Sequence, residues 1–221
     1  MKTSPPDHRF VPALGFHWLT PYYDFVVGAV TQAGAIREAL IQQAKFDTGQ
    51  QMLDLACGTG TLAVQIKHRF PTVNVIAVDC DRTILSLAER KANQAEVRIQ
   101  FDHAFAECLP YPDGSFDRVV SSLFFHHLTW DKKKRAASEI YRILKPHGEL
   151  HVADWGRASN LFMRGLFFPV QLIDGFKNTQ DNVSGKLLEL FEQAGFVHVV
   201  EQQSFNTIFG TMALYSAVKN S

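Results

Sequence analysis

The sequence predicts an α/β protein with a seven-stranded, mostly parallel sheet, one antiparallel strand and helices on both faces. Three observations predict it. Short apolar runs alternate with helix-periodic stretches between residues 51 and 153. A glycine-rich turn joins the first run to the first helix of that series. The last two strand-like runs are separated by a linker too short for a helical crossover, so one of them must lie antiparallel.

The elements follow in order. Residues 1–19 hold Pro5, Pro6 and Pro12 and read as an irregular arm. Thr20-Pro21 is a helix start, Thr as N-cap and Pro at the first helical position, and the helix runs to about residue 45. Strands are expected at 51–56, 73–79, 97–101, 116–123 and 149–153. Helices are expected at 60–69, 82–93 and 131–144, the last one stopped by Lys145-Pro146-His147-Gly148. A helix at 184–194, closed by Gly195, precedes strand-like runs at 197–204 and 207–218. No domain boundary appears, so residues 1–221 form one domain. Residues 1–45 form an N-terminal arm and lid helix, and 157–182 an inserted segment.

Composition narrows the function. The chain has 221 residues, a formal net charge of +0 and 46% hydrophobic residues. A dedicated nucleic-acid binder needs a basic surplus to neutralise phosphates, and none is present. Cys57, Cys80 and Cys108 form no CxxC pair and read as reduced thiols of a cytoplasmic protein. The nine histidines show no ligand spacing, so no metal is expected. The apolar run at 161–176 is interrupted by Arg164, Pro169, Gln171 and Asp174 and falls short of a membrane span, leaving peripheral membrane contact open.

The densest chemical signal is Leu53-Asp54-Leu55-Ala56-Cys57-Gly58-Thr59-Gly60. Here a strand ends and glycines open a helix, the usual place for a nucleotide-like ligand in an open α/β sheet. Gly58 to Ala63 also fits GxGxxA, and Tyr141 with Lys145 has the spacing used by short-chain reductases. Asp54 argues against a pyrophosphate ligand, because a carboxylate before the glycines favours a ligand with an ammonium group and no phosphate. Asp79, ending the second strand, can accept hydrogen bonds from ribose hydroxyls.

Four segments arrive in a familiar order: LDLACGTGTLA (53–63), VDCD (78–81), AECLPYPDGSFDRVVSSLFFHHL (106–128) and EIYRILKPHGEL (139–150). Together they resemble the class I methyltransferases dependent on S-adenosylmethionine (SAM), and within them the group around the ubiquinone/menaquinone-biosynthesis C-methyltransferases. The resemblance implies a Rossmann-like fold, SAM as cofactor and S-adenosylhomocysteine as product. It implies that Asp54, Ala56, Gly58, Thr59 and Gly60 line the methionine part of SAM. Asp79 would hold the ribose and Cys80 border the adenine. Phe105 and Ala106 would flank the adenine, and Ser122 would face the cofactor. Tyr23-Asp24 resembles the family's N-terminal lid. The chain departs from the pattern at Ala56 and His147, where Gly is common, and at Phe105, where Asp is common.

On the acceptor side, the expected pocket residues are Trp18, Tyr22 and Phe25 from the arm, and Phe167 and Phe168 among the apolar residues 161–172. Such walls favour a small apolar or aromatic acceptor. His126 and His127 end the fourth strand, where the reacting methyl should lie, and imidazole suits proton removal from an acceptor. Two other readings stay open: a SAM-binding module without catalysis, and an NAD-dependent reductase.

Overall fold

The computed structural model describes residues 32–221. Trp18, Tyr22, Tyr23 and Phe25 lie outside the described residues. The first described helix is α1 (Ala33–Ala44), which starts behind the left-handed Gln32 and buries Ile36, Leu40, Ile41 and Ala44. There follow β1 (Gln51–Leu55), α2 (Thr61–Arg69), β2 (Asn74–Asp79), α3 (Arg82–Gln94), β3 (Gln100–His103) and β4 (Phe116–Ser122). A 3-10 turn (Phe125–His127), α4 (Trp130–Ile143) and β5 (Leu144–Trp155) come next. Three short helices, α5 (Leu161–Leu166), α6 (Phe168–Asp174) and α7 (Phe176–Val183), precede α8 (Leu187–Gln193), β6 (Phe196–Thr207) and β7 (Gly210–Lys219).

The strands form one seven-stranded sheet in the order β3-β2-β1-β4-β5-β7-β6. All neighbours from β3 to β5 run parallel. β7 is antiparallel to both β5 and β6, as the short linker between the last two strands requires. The chain leaves β1 toward one edge and returns at β4, so the strand order reverses between β1 and β4. That reversal opens the crevice in which ligands of such sheets bind.

Alternation along the strands builds two apolar layers. Met52, Val120, Ala153 and Leu214 pack on one side with residues of α1 and α2. Leu53, Val119, Val152 and Ala213 pack on the other with α4 and α8. The helix starts are locally encoded in part. Asp81 caps α3 by accepting from the backbone N–H groups of Thr83 and Ile84.

Several boundaries differ from the sequence expectation. The helix expected to run unbroken to about residue 45 does not cross the left-handed Gln32, and Thr207 ends β6 instead of opening the last strand, which begins at Gly210. β3 begins at Gln100 instead of 97, because Val97 N–H bonds back to the Ala92 carbonyl and Glu96 is left-handed, finishing α3. β5 begins at Leu144, which pairs with Phe116 before the register shifts and resumes at Glu149. Pro146 and the left-handed His147 lie in that shift. α8 begins at Leu187, since Ser184 closes α7.

Candidate functional site

The glycine turn sits at the C-terminal end of β1, beside the reversal point. Gly58 adopts φ +54°, and a β-carbon built there meets nothing within 4 Å, so the space above the turn is open. Its N–H donates to Asp79 Oδ2 at 3.0 Å, and the Asp81 N–H donates to Asp79 Oδ1 at 3.0 Å. Asp79 therefore holds the turn. The Cys80 amide also pulls on this carboxylate, which keeps acceptor capacity for a further donor. Burial raises the Asp79 pKa against the pull of the Asp81 and Gly58 amides.

Asp54 lies beneath the turn and is 1% exposed. Burial lifts its pKa to about 7, opposed by the Ala63 backbone N–H and reinforced by Asp79. Its Oδ2 has no hydrogen-bond partner. An orphaned buried carboxylate oxygen, an open cradle over Gly58 and an acid ending β2 fit a ligand with a cationic amino-acid end and a ribose end. SAM has both.

The remaining cofactor-side positions divide. Thr59 Oγ1 accepts from Lys91 Nζ at 2.8 Å, an α3 cation that the sequence reading did not single out. A β-carbon at Gly60 would lie 2.9 Å from Ala88 Cβ, so close approach of α2 and α3 accounts for that glycine. Ala56 (φ 56°) and Leu123 (φ 57°) are left-handed at the ends of adjacent strands β1 and β4, a conformation L side chains adopt at a cost. Ser122 ends β4 and is half-buried. Cys80 follows Asp79, and burial raises its thiol pKa to about 12. Phe105 pairs with Cys108 in an isolated bridge, next to buried Ala106.

The Tyr141–Lys145 pair has structural occupations. Tyr141 packs edge-on to Phe196 and under the Lys219 ammonium, while Lys145 binds both oxygens of Asp117. That removes the local basis for the reductase reading.

On the acceptor side, His126 is 3% exposed. Its Nδ1 lies 2.8 Å from Asp154 Oδ1, and its Nε2 faces Asp174 Oδ2 at 3.8 Å. His127 stacks beside it with ring centroids 4.0 Å apart, and its Nδ1 faces Asp174 Oδ1 at 3.8 Å. Burial and the adjacent His126 pull the His127 pKa below the ordinary imidazole range. Asp154 accepts from the backbone N–H groups of Phe124, Phe125 and Trp155 and from Asn182 Nδ2. Burial works against its ionisation, yet His126 and these donors hold its pKa below the usual value. Lys133, fully buried on α4, donates to Asn182 Oδ1 and to the Asn178 carbonyl. Five elements thus converge on His126: the 3-10 turn itself, β5 through Asp154, α6 through Asp174, α7 through Asn182, and α4 through the Lys133–Asn182 bond.

Sequence reasoning found His126 and His127 but missed Asp154, Asp174, Asn182 and Lys133. Asp154 was findable, because it lies one residue from the end of β5, much as Asp79 ends β2. Asp174 appeared only as a break in an apolar run.

The inserted segment departs from expectation. Phe167 is a core residue against Trp155, and its ring fills the space beside Gly210. Phe168 is 51% exposed and packs on Phe176. Leu161, Phe162, Leu172 and Ile173 face solvent, while polar Gln171, Thr179 and Asn182 are buried. The insert turns its polar side inward because Asn182 must satisfy Lys133 and Asp154, and Gln171 bonds Thr179. Among the described residues no helix is long and apolar enough to cross a membrane.

Comparison with known proteins identifies the family. A family model described as a methyltransferase domain matches residues 52–148. The chain is similar to a demethylmenaquinone methyltransferase of Lactobacillus johnsonii, 30% identical over 208 residues, covering 84% of each chain. It is also similar to one from Thermus thermophilus, 32% identical over 142 residues, 63% of this chain and 64% of that one. The matched region therefore spans somewhat less than two thirds of the latter's length. In fold, the chain superimposes on the YcgJ protein of Bacillus subtilis with a TM-score of 0.71 at 18% identity, covering 85% of this chain and 99% of that one.

Proposed function

We infer the function from one premise: the chain belongs to the class I SAM-dependent methyltransferases, in the group of the ubiquinone/menaquinone-biosynthesis C-methyltransferases. It transfers the methyl group of SAM to a small acceptor. The observation that carries this reading is the Asp54–Gly58–Asp79 arrangement, an open glycine cradle with one acid below it and one at the ribose end. Bound SAM supplies an electrophilic methyl on a positive sulfur, so the protein's task is positioning and exclusion of water. The methionine end lies over Gly58 with Asp54 beneath, and Asp79 takes the ribose hydroxyls. Cys80, Phe105 and Ala106 border the adenine.

The acceptor's reacting atom lies beside His126 and His127, at the ends of the strands next to β1. Both imidazoles direct a ring nitrogen to Asp174. They therefore hold the reacting group in concert with that carboxylate, in place of a lone histidine base.

The acceptor is an aromatic or quinone-like molecule. Support comes from the names of the relatives and from Leu161, Phe162, Leu172 and Ile173, four large apolar side chains left exposed on the inserted segment, as lipid or partner contact requires. A lipid-like acceptor reaches the site by way of them. The test is methyl transfer from labelled SAM across demethylated quinones, simple phenols, lipid head groups and amino acids. Turnover confined to charged metabolites refutes the aromatic acceptor. Absence of SAM binding refutes the whole reading.

A further inference from the structure

We propose that His126, His127 and Asp174 form a binding site for a divalent transition-metal ion of the zinc class. One ring nitrogen of His126, one of His127 and one Asp174 carboxylate oxygen lie within 4.8 Å of one another. His126 Nε2 is 3.8 Å from Asp174 Oδ2, and His127 Nδ1 is 3.8 Å from Asp174 Oδ1. Ligands bound at about 2.1 Å in a tetrahedral shell stand roughly 3.4 Å apart, so a small inward movement closes the triad on one ion. Two imidazoles and one carboxylate are the donor set of open sites, which keep a further position for water or substrate.

The second observation is independent of those distances. A histidine that ligates a metal through one nitrogen almost always gives the other N–H to a carboxylate or carbonyl. His126 does this: its Nδ1 is 2.8 Å from Asp154 Oδ1. Asp154 is fixed in turn by three backbone amides and by Asn182. That bond assigns the proton to Nδ1 and leaves the Nε2 lone pair toward Asp174. Charge agrees as well. Asp181 pairs with both buried Lys133 and the rim cation Lys186, while Asp154 and Asp174 face the imidazoles, so three carboxylates against two lysines leave a net negative site around neutral imidazoles. Sequence spacing gave no hint, because His126 and His127 are adjacent and Asp174 comes from a different element.

Metal binding itself stands apart from methyl transfer. Its use in the reaction, to hold the acceptor's oxygen at the open position beside the SAM methyl, rests on the function proposed above. The test is cobalt(II) titration of the apo protein followed by visible absorption, with zinc retention after dialysis measured by elemental analysis. The wild type should bind one ion per chain and develop ligand-field bands. Asp174→Asn and His127→Gln, both at partly exposed positions, should weaken binding at least about tenfold with an unchanged circular dichroism spectrum. His198→Ala, on the sheet's edge strand, should bind like wild type. Loss of uptake in either folded site variant supports the site. Absence of cobalt bands in the wild type, or uptake equal to wild type in both site variants, overturns it. SAM affinity measured on the same samples separates failure of this site from failure of the methyltransferase reading.

Discussion

The Gly58 amide donates to the Asp79 carboxylate at 3.0 Å, tying the turn after β1 to the end of β2. Asp79 therefore shapes the cradle as well as offering acceptors to the ribose. Asp79→Ala should weaken SAM binding about tenfold or more, since hydrogen bonds to a charged group contribute about 1.5–3 kcal/mol each. It should also lower the melting temperature of the ligand-free protein, because the Gly58 and Asp81 amides lose their acceptor. Calorimetric SAM affinity equal to wild type would show that the ribose lies elsewhere.

Asp54 gives a pH signature. Its folded pKa is raised to about 7 by burial, above the ordinary carboxylate value of the unfolded chain. Between those values the folded state binds the extra proton, so stability falls as pH rises through the window and levels off above it. Asp54→Asn keeps an acceptor for Ala63 N–H and carries no charge. Its stability advantage over wild type should be absent near pH 4 and grow toward pH 8, while its SAM affinity drops through loss of the acid beneath the methionine end. Urea denaturation of the ligand-free proteins at both pH values checks this. A constant offset between the two proteins refutes it.

Phe167 and Phe168 are neighbours with different environments. Phe167 is 1% exposed and Phe168 51%. Phe167→Ala should cost about 3–5 kcal/mol, the usual result of emptying a core aromatic site. Phe168→Ala should cost less than about 1 kcal/mol. Chemical denaturation of both variants measures the difference, and equal losses would contradict the placement of Phe167 against Trp155.

The contrast shows what was legible in the sequence. Strand alternation, the glycine turn and the two strand-end acids are local patterns, and local patterns are readable. The antiparallel strand followed from a linker length. The acceptor side was only half readable, because its network joins Lys133, Asp154, Asp174 and Asn182 from separate elements. Helical register, which sends Phe167 inward and Phe168 outward, depends on packing against Trp155 and Gly210. The inserted segment was expected to turn its apolar side to the pocket. Buried Lys133 and Asp154 instead draw polar groups inward, leaving Leu161 and Phe162 outside.

That outward face makes a prediction about membranes. Leu161→Ser with Phe162→Ser should reduce co-sedimentation with phospholipid vesicles severalfold, since each buried apolar side chain contributes about 1.5–3 kcal/mol. Both side chains are exposed, at 90% and 73%, so folding stability should stay within about 0.5 kcal/mol of wild type. Failure of the wild type to bind vesicles would remove lipid contact as the role of this face.

Lys133 joins α4 to α7 by donating to the Asn178 carbonyl and Asn182 Oδ1, and Asn182 passes the link on to Asp154 and so to His126. Burial lowers the lysine's pKa, while the Asp181 and Asp154 carboxylates oppose the shift. Lys133→Met preserves the aliphatic stem and removes the donor. Two acceptors then lose their partner in a buried setting, at about 1–3 kcal/mol for each group left unsatisfied. The glycine turn is held from the other side by Asp79, so SAM affinity should hold. The acceptor's KM should rise and kcat fall, because Asn182 no longer pins the carboxylate that orients His126. Steady-state kinetics beside calorimetric SAM binding separates the two sites. A variant with normal kinetics would show that α7 is positioned without Lys133, and a parallel loss of SAM binding would show that the two sides of the crevice are not independent.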